Sequence, residues 1–332
     1  MYTQRVFFYT IGGSISGFGH LARMLPLFDS FIENDINTTF IVEGDDVIYN
    51  ILENRKTIQT DWLSNKETFY ISHNTQDIVI VDTLEYPTTL FNRLRHTVRS
   101  MYFVCDSYLE SKLPFGTHVL NWRVNAELNH IRNQKGLFGS DFVPLRQEIF
   151  AYKRDYDEVQ YGKNIFISMG SGDILNLIPK TLEILFNSEK YRDYKISAVI
   201  GKHHKQYKEL INRYGLKVNF LINGSASELF SLISKSTVAI ASGGHSIYEF
   251  AYLGIPTLHV LTANNQKPAL SWDSSNFTYP IGWYDESIYS TKLLNGLEHF
   301  LDFNNWKTSR IAGMNLVDGG GASRVVKSII QK

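Results

Sequence analysis

One cysteine, Cys105, stands in the 332-residue chain, inside the apolar run "MYFVCD". A single thiol forms no internal disulfide and no Cys-X-X-Cys pair for redox or metal chemistry, so it reads as core filler. An excess of either charge is missing as well, with 33 basic against 33 acidic residues. Without a net field nothing pulls the chain towards nucleic acid or an anionic membrane, and an anionic ligand has to be caught locally, by loops and helix ends. No apolar run approaches the roughly 18 residues of a membrane helix. The start, "MYTQRVFFYT", enters a strand without the basic-then-apolar order of a signal peptide. These absences lead us to expect a cytoplasmic protein with no integral membrane segment and no nucleic-acid partner. No cluster of His, Asp and Glu has ligand spacing, so neither a metal nor a cofactor is expected. The Gly-x-Ser-x-Gly elbow of serine hydrolases fails too: Gly13-Ser14-Ile15-Ser16-Gly17 leaves no glycine two before Ser16.

What is present is an ordinary globular composition, 43% hydrophobic and 20% charged, long enough for two domains. Aromatics reach 14%, which suits either sugar- and base-stacking surfaces or an aromatic core. Short apolar strands alternate with amphipathic helical stretches. "RVFFYT", "TTFIVEG", "DIVIVD" and "SMYFVCD" read as strands, and "HLARMLPLFDSFIEN" and "TTLFNRLRHTV" as helices. An irregular region, 136–162, carries "FVPLRQEI" and a hinge near 145–162. A second series follows: "KNIFISMGSGD", "YKISAVIG", "LKVNFLI", "TVAIAS" and "IPTLHVLT" as strands, "HKQYKELINRYG" and "SASELFSLISKS" among the helices. Ser225-x-x-Glu228 has the spacing of a capping box. Repeated strand–helix–strand units imply parallel sheets with right-handed crossovers. The fold class is therefore α/β, two Rossmann-like doubly wound domains facing a cleft. We place the domains at 1–150 and 163–312, with a C-terminal helical segment, 313–332, that packs back on the first.

Three loops share one recipe, strand then glycines then helix: Gly12–Gly19, Gly170–Gly172 and Gly243–Gly244. Glycine permits positive φ and close approach of a ligand to backbone N–H groups. A helix start adds unpaired donors and partial positive charge. In open α/β sheets such loops lie at the ligand-binding end of the strands. None is a Walker loop, since no Gly-Lys-Ser/Thr follows, and none has dinucleotide spacing. The candidate binders of an anionic ligand are Gly17, Gly19, Gly170, Ser171, Gly243, Gly244, His245 and Ser246. His20 stands in the first turn of its helix, where a neutral imidazole can serve as a general base; a capping role is the plain alternative.

The string "SGGHSIYEFAYLGIPTLHVLTANNQKPA", Ser242 to Ala269, adds specificity. Glycine loop, small hydroxyl residue, x-x-Glu, helix, "LGIPTL" and "NNQ" resemble the donor-binding half of GT-B nucleotide-sugar enzymes, in the branch of the lipid II N-acetylglucosaminyltransferase. Closer still is the likeness to the UDP-sugar hydrolases of pseudaminic acid synthesis (UDP-2,4-diacetamido-2,4,6-trideoxy-beta-L-altropyranose hydrolase) and to related glycosyltransferase-like proteins of spore-coat polysaccharide clusters. That family opens with a strand, "IGxGHxxR" and a helix; this chain has "SGFGHLARMLPL", with Gly17, Gly19, His20 and Arg23 in place. "IVIVD" matches its strand ending in Asp, "FVPLRQEIF" its Leu-Arg-x-Glu segment before the hinge, and "MGSGD" the loop opening its second half. The matches span nearly the whole chain in order. Departures fall where sugar and diphosphate are expected: "YTIGGS" lacks an acidic residue, "DTLEY" stands for Asp-His-Tyr, His245 replaces Ser, and "NNQ" replaces "DNQ".

The resemblance implies roles. His20 would activate water or an acceptor hydroxyl for attack at the anomeric carbon, with inversion, without metal. Glu249 would take two ribose hydroxyls; Asn265 and Gln266 would touch diphosphate or sugar, or simply cap a helix. Arg23, Asp82 and Asp173 are sugar-side candidates, Arg23 as a partner for phosphate or carboxylate. His203 and His204 read as solvent-exposed. The expected function is a hydrolase releasing UDP from a UDP-activated amino-deoxy sugar in surface-glycan biosynthesis. An inverting glycosyltransferase with a glycan or lipid-linked acceptor is the alternative, and a catalytically silent sugar-nucleotide-binding module is a second.

Overall fold

A computed structural model of the chain describes residues 4–14, 16–64, 71–84, 86–105, 113, 117–129, 134–152, 161–170, 173–201, 204 and 207–331. The chain divides into two compact units, one of Met1–Arg146 together with Gly319–Lys332, the other of Gln147–Asp318.

The first unit is built on β1 (Arg5–Ile11), α1 (Gly19–Ile32), β2 (Asn37–Glu43), the one-turn α2 (Tyr49–Leu52), β3 (Thr57–Gln59), β4 (Ile78–Asp82), α3 (Thr88–Leu94), β5 (Ser100–Val104), β6 (His118–Asn121), the short α4 (Ala126–Asn129) and β7 (Gly136–Phe138). The strands lie in the order β3-β2-β1-β4-β5-β6-β7, every pairing parallel. β4 is buried from Ile78 to Asp82, which is why "IVIVD" reads as a continuous apolar run rather than an alternating one. Alternate residues of the sheet serve its two faces. Phe8 meets Phe28 and Phe31 of α1, and Phe28 stacks on Phe40 of β2 with ring centres 4.3 Å apart. Phe7, Tyr9, Val79 and Val81 pack on the other face with Trp62 and with Leu90, Phe91 and Leu94 of α3. Cys105 is buried in that layer. Strands β3, β6 and β7 extend a sheet for which the sequence showed fewer strands, and β7 forms within the stretch read as irregular.

The second unit begins with the 3-10 turn Gln147–Ala151 and contains β8 (Asn164–Ser168), α5 (Leu177–Asn187), β9 (Lys195–Ile200), α6 (Tyr207–Tyr214), β10 (Val218–Ile222), α7 (Ala226–Ile233), β11 (Val238–Ser242), α8 (Ser246–Leu253), β12 (Thr257–Leu261), β13 (Thr278–Trp283), α9 (Glu286–Phe300) and α10 (Phe303–Leu316). An eleven-residue 3-10 stretch, Asn264–Ser274, joins β12 to β13. The strand order β10-β9-β8-β11-β12-β13 repeats that of the first six strands of the other unit. α5 and α9 cover one face with Leu177, Ile178, Leu182, Leu293 and Leu297. α7 starts with the expected capping box: Ser225 Oγ accepts from the Glu228 N–H, and the Glu228 carboxylate accepts from the Ser225 N–H. α10 runs unbroken through residues 313–316, so the boundary set at 313 in the sequence falls inside a helix, and the first unit resumes at Gly319 instead.

The tail helix α11 (Gly321–Ile330) belongs to the first unit. It buries Gly321, Val325, Val326 and Ile329 against α1 and the turn at Ser140–Phe142. Gly321 permits a close approach, since a Cβ there would lie 2.0 Å from the Val143 carbonyl oxygen.

Candidate functional site

In each unit the strand order reverses between the first and fourth strands, β1 and β4 in one, β8 and β11 in the other. Such a reversal opens a crevice at the carboxyl ends of the strands, where doubly wound sheets take their ligands. The candidate residues gather at these two points.

In the first unit β1 runs into a tight loop in which Gly13 and Gly17 exchange backbone hydrogen bonds at 3.1 and 2.9 Å. Gly13 and Gly17 have φ of 147° and 74°, values that favour glycine. Asp45 fixes the loop by accepting from the Ser14 N–H at 3.0 Å, and that bond holds the exposed Asp45 carboxyl below its ordinary value. The loop thus spends its own amides internally. The next donors belong to α1, whose N-cap, Phe18, supplies no side-chain cap, and whose first turn has no acidic residue. A Cβ on Gly17 or Gly19 would meet nothing within 4 Å, and Gly19 has an ordinary φ. Packing among the described residues therefore does not require glycine at 19.

His20 and Arg23, one helical turn apart on α1, converge on Asp82 at the end of β4. His20 Nδ1 lies 2.8 Å from Asp82 Oδ1. Arg23 donates from Nε to Oδ2 at 2.7 Å and from Nη2 to Oδ1 at 2.5 Å. The Asp82 side chain is fully buried, while those of His20 and Arg23 keep 15% and 11% exposure. Burial pushes the Asp82 carboxyl up, but the charges of Arg23 and His20 outweigh it and hold it well below the usual carboxylate range. In the tautomer that donates its Nδ1–H to an ionised Asp82, Nε2 of His20 is left as the proton acceptor, the arrangement a general base needs. The guanidinium also lies over Trp122, 5.7 Å from the ring centre.

A second network lies on the other face of this sheet and escaped the sequence reading. Arg5 grips Asp77 with two bonds of 2.9 and 2.7 Å, His73 Nδ1 lies 3.4 Å from Asp77, and His73 Nε2 meets the Tyr9 hydroxyl at 2.8 Å. The His-x-x-x-Asp spacing before a buried strand was the one visible signal. Burial pushes the His73 ring below its ordinary value against the opposing pull of Asp77, and pushes the Tyr9 hydroxyl up.

In the second unit Gly243 is set by packing: a Cβ would lie 2.6 Å from Leu261 Cδ2, while its φ is not in the positive region. Its N–H donates to Val260 O and that of Gly244 to Ser242 O. The expected cradle of Gly243 and Gly244 amides is therefore already occupied, and the Ile247 and Tyr248 N–H groups turn back to Gly244 O and His245 O, so at this helix start the Ser246 N–H is the first that no backbone carbonyl takes among the described residues. His245 is the residue before that helix and supplies no cap bond; its ring lies 5.2 Å from Tyr248. Gly244, like Gly19, has open space where a Cβ would be and an ordinary φ. Glu249 sits in the first turn of α8 and exposes only 3% of its surface. Asn265 is exposed, whereas Gln266 turns back to accept from the Thr262 N–H at 2.8 Å, so it caps its own turn.

At the third loop Gly170 has φ 79°, as the turn after β8 requires. Ser171 and His203 lie outside the described residues. Asp173 is a helix cap: its two oxygens accept from the N–H groups of Leu177 and Ile178, both at 2.8 Å. Both oxygens thus serve the start of α5. His204, expected in solvent, is buried, with Nε2 3.4 Å from Asp173. Among the described residues no group of three or more His, Cys, Asp and Glu is placed to hold a metal ion, and no helix is long and apolar enough to cross a membrane.

Solved structures with the same chain path decide the fold. MurG of Acinetobacter baumannii superposes with a TM-score of 0.69 at 12% identity, over 99% of this chain and 100% of that one. The fold is GT-B. A second match is the MnaA–UDP co-structure of S. aureus, at TM-score 0.65 and 14% identity over 97% and 95% of the two chains. Among curated proteins the chain is similar to the uncharacterized protein MJ1062 of Methanocaldococcus jannaschii, 26% identical over 269 residues, which is 77% of this chain and 55% of that protein. It is also similar to the spore coat polysaccharide biosynthesis protein SpsG of Bacillus subtilis, 21% identical over 321 residues, covering 95% and 94%. The chain thus spans about half of MJ1062 and nearly all of SpsG. No family model matches it.

Proposed function

We propose that this GT-B chain is an enzyme acting on nucleotide sugars in polysaccharide biosynthesis, a hydrolase that releases UDP from a UDP-activated amino-deoxy sugar. The observation that carries the reading is the His20–Asp82 pair: a half-buried imidazole whose Nδ1 is 2.8 Å from a buried carboxylate, at the switch point of its own sheet. In the proposed step His20 Nε2 takes a proton from water, the water oxygen bonds to the anomeric carbon, and the bond from that carbon to the diphosphate oxygen breaks with its electron pair on UDP. Asp82 stabilises the imidazolium that results. The second unit holds the nucleotide, with the first donors of α8 on the diphosphate and Glu249 on the ribose. Gly19 and Gly244 support this reading, because neither φ nor packing among the described residues calls for glycine there, whereas close approach of a ligand would.

The test is UDP release from a panel of UDP-sugars, with and without acceptors. Release in water alone supports hydrolysis. His20→Ala lowers turnover about 10²-fold or more if His20 is the base; unchanged turnover removes it from the mechanism. Glu249→Gln weakens UDP binding measured by calorimetry. A transferase is the second reading, and the relative that favours it is SpsG, matched nearly end to end and named for polysaccharide biosynthesis. In that case the same base deprotonates an acceptor hydroxyl, and release requires the acceptor.

A further inference from the structure

We propose that Arg23 is a positioning residue that fixes which nitrogen of His20 accepts the proton and the pH range in which it does so. The inference rests on the reading of His20 as the base. Among the described residues the ring of His20 has two polar partners, Asp82 of β4 and Arg23 of α1, and they make opposite demands on Nδ1. The ionised carboxylate only accepts, so it requires Nδ1 to carry its hydrogen. The guanidinium only donates and does not lose its proton, so it requires Nδ1 to be bare. Asp82 is nearer, 2.8 Å against 3.2 Å for Arg23 Nη2. The tautomer with hydrogen on Nδ1 and a lone pair on Nε2 is therefore the favoured one, provided Asp82 stays ionised.

Arg23 secures that proviso. A carboxylate with no exposed surface keeps its charge only with a partner cation. Arg23 supplies it through a two-bond fork to both oxygens, the geometry in which arginine and carboxylate bind most specifically. Trp122 backs the guanidinium and holds the fork in place. The same cation limits the imidazole. Nη2 sits 2.5 Å from the oxygen that His20 also uses and 3.2 Å from the ring nitrogen, so its charge opposes that of an imidazolium. Without Arg23 the buried carboxylate is left with His20 as its cation source. It then draws a proton onto the ring and holds it there, and the base is blocked in the pH range where it works. Arg23 thus acts through Asp82 and His20 without being required to touch the substrate.

The experiment follows the His20 ring directly. Full-length protein carrying 15N-labelled histidine is titrated by NMR, which reports tautomer and protonation without any substrate, for the wild type, Arg23→Gln and Arg23→Lys; His20→Ala identifies the resonance. The expected result is that in Arg23→Gln the His20 titration moves to higher pH by about one unit, a tenfold change in proton affinity. The acid limb of kcat/KM for UDP release should move with it, so activity lost at neutral pH returns in alkaline buffer. Arg23→Lys, which keeps the charge and loses the fork, should fall between. If Arg23→Gln does not fold by circular dichroism, Arg23→Lys decides alone, with a raised titration expected. A titration and tautomer unchanged from wild type in the folded variants overturns the proposal. Absence of UDP release from every donor, with the titration moved as expected, instead overturns only the reading of His20 as base for a nucleotide sugar.

Discussion

His73 shows at the scale of one residue how burial turns a side chain into a pH-dependent term. Its ring is 1% exposed, between Asp77 and the Tyr9 hydroxyl, and burial lowers its proton affinity from the ordinary histidine value of 6.5. In the unfolded chain the ring is protonated near 6.5, while in the folded chain it stays neutral to lower pH. Between those two values the unfolded state binds more protons, so stability rises with pH through the window. His73 thus contributes stability that is fully present above 6.5 and is lost as pH falls towards the lowered folded value. Urea unfolding should therefore give a falling free energy as pH drops below about 6.5, and His73→Gln should flatten that slope relative to wild type. An equal slope in the variant would place the effect elsewhere. Asp82 acts in a separate window. Its carboxyl is held low, so its contribution is present above the ordinary carboxylate value of 3.8 and is lost only in stronger acid.

At the scale of elements the three glycine loops, alike on paper, divide by what fills the helix start that follows. α5 is closed by the Asp173 carboxylate on the amides of Leu177 and Ile178, whereas α1 and α8 begin with no side-chain cap. Asp173→Ala should therefore cost about 1–2 kcal/mol, the loss of a helix cap, in urea unfolding. It should leave UDP affinity unchanged; weakened UDP binding at unchanged stability would return Asp173 to the ligand. Strands with continuous apolar runs, such as Ile78–Asp82 and Val238–Ser242, were legible because burial on both faces imposes that composition. The capping box at Ser225 was legible because both partners lie within one turn. β3 and β7 have three residues each, too few to show a period, and β13 contains Pro280 and Gly282, which argue locally against a strand. In the candidate site, the place of His20 in the first turn of α1 was legible from the glycines before it. That Arg23 turns to Asp82, 59 residues away, and that a buried His204 lies against Asp173, were not, because only the fold brings those residues together.

For the whole molecule the chain order has a mechanical consequence. The first unit is interrupted: it leaves at Arg146 and resumes at Gly319, after the entire second unit. Its final element, α11, packs on α1, the helix that carries His20 and Arg23. Each of Val325, Val326 and Ile329 is buried, and each contributes about 1.5–3 kcal/mol by leaving water. Arg324 adds a bond from Nε to the Asp141 carbonyl at 2.7 Å. Removing residues 319–332 should therefore loosen the first unit alone. Hydrogen exchange followed by mass spectrometry should show faster exchange in β1, β2, β4 and α1, with β8, β11 and β12 protected as before. Gly321→Val should reproduce the pattern in part, because its Cβ position is 2.0 Å from the Val143 carbonyl oxygen and the helix cannot seat without moving. On the proposed reading, UDP binding belongs to the second unit and should survive both changes, while UDP release, which in the proposed step uses His20 and Asp82 in register, should fall with the protection of α1. Equal loss of protection in both units would show that the tail supports the molecule as a whole, and the separation of roles drawn from the chain order would fail.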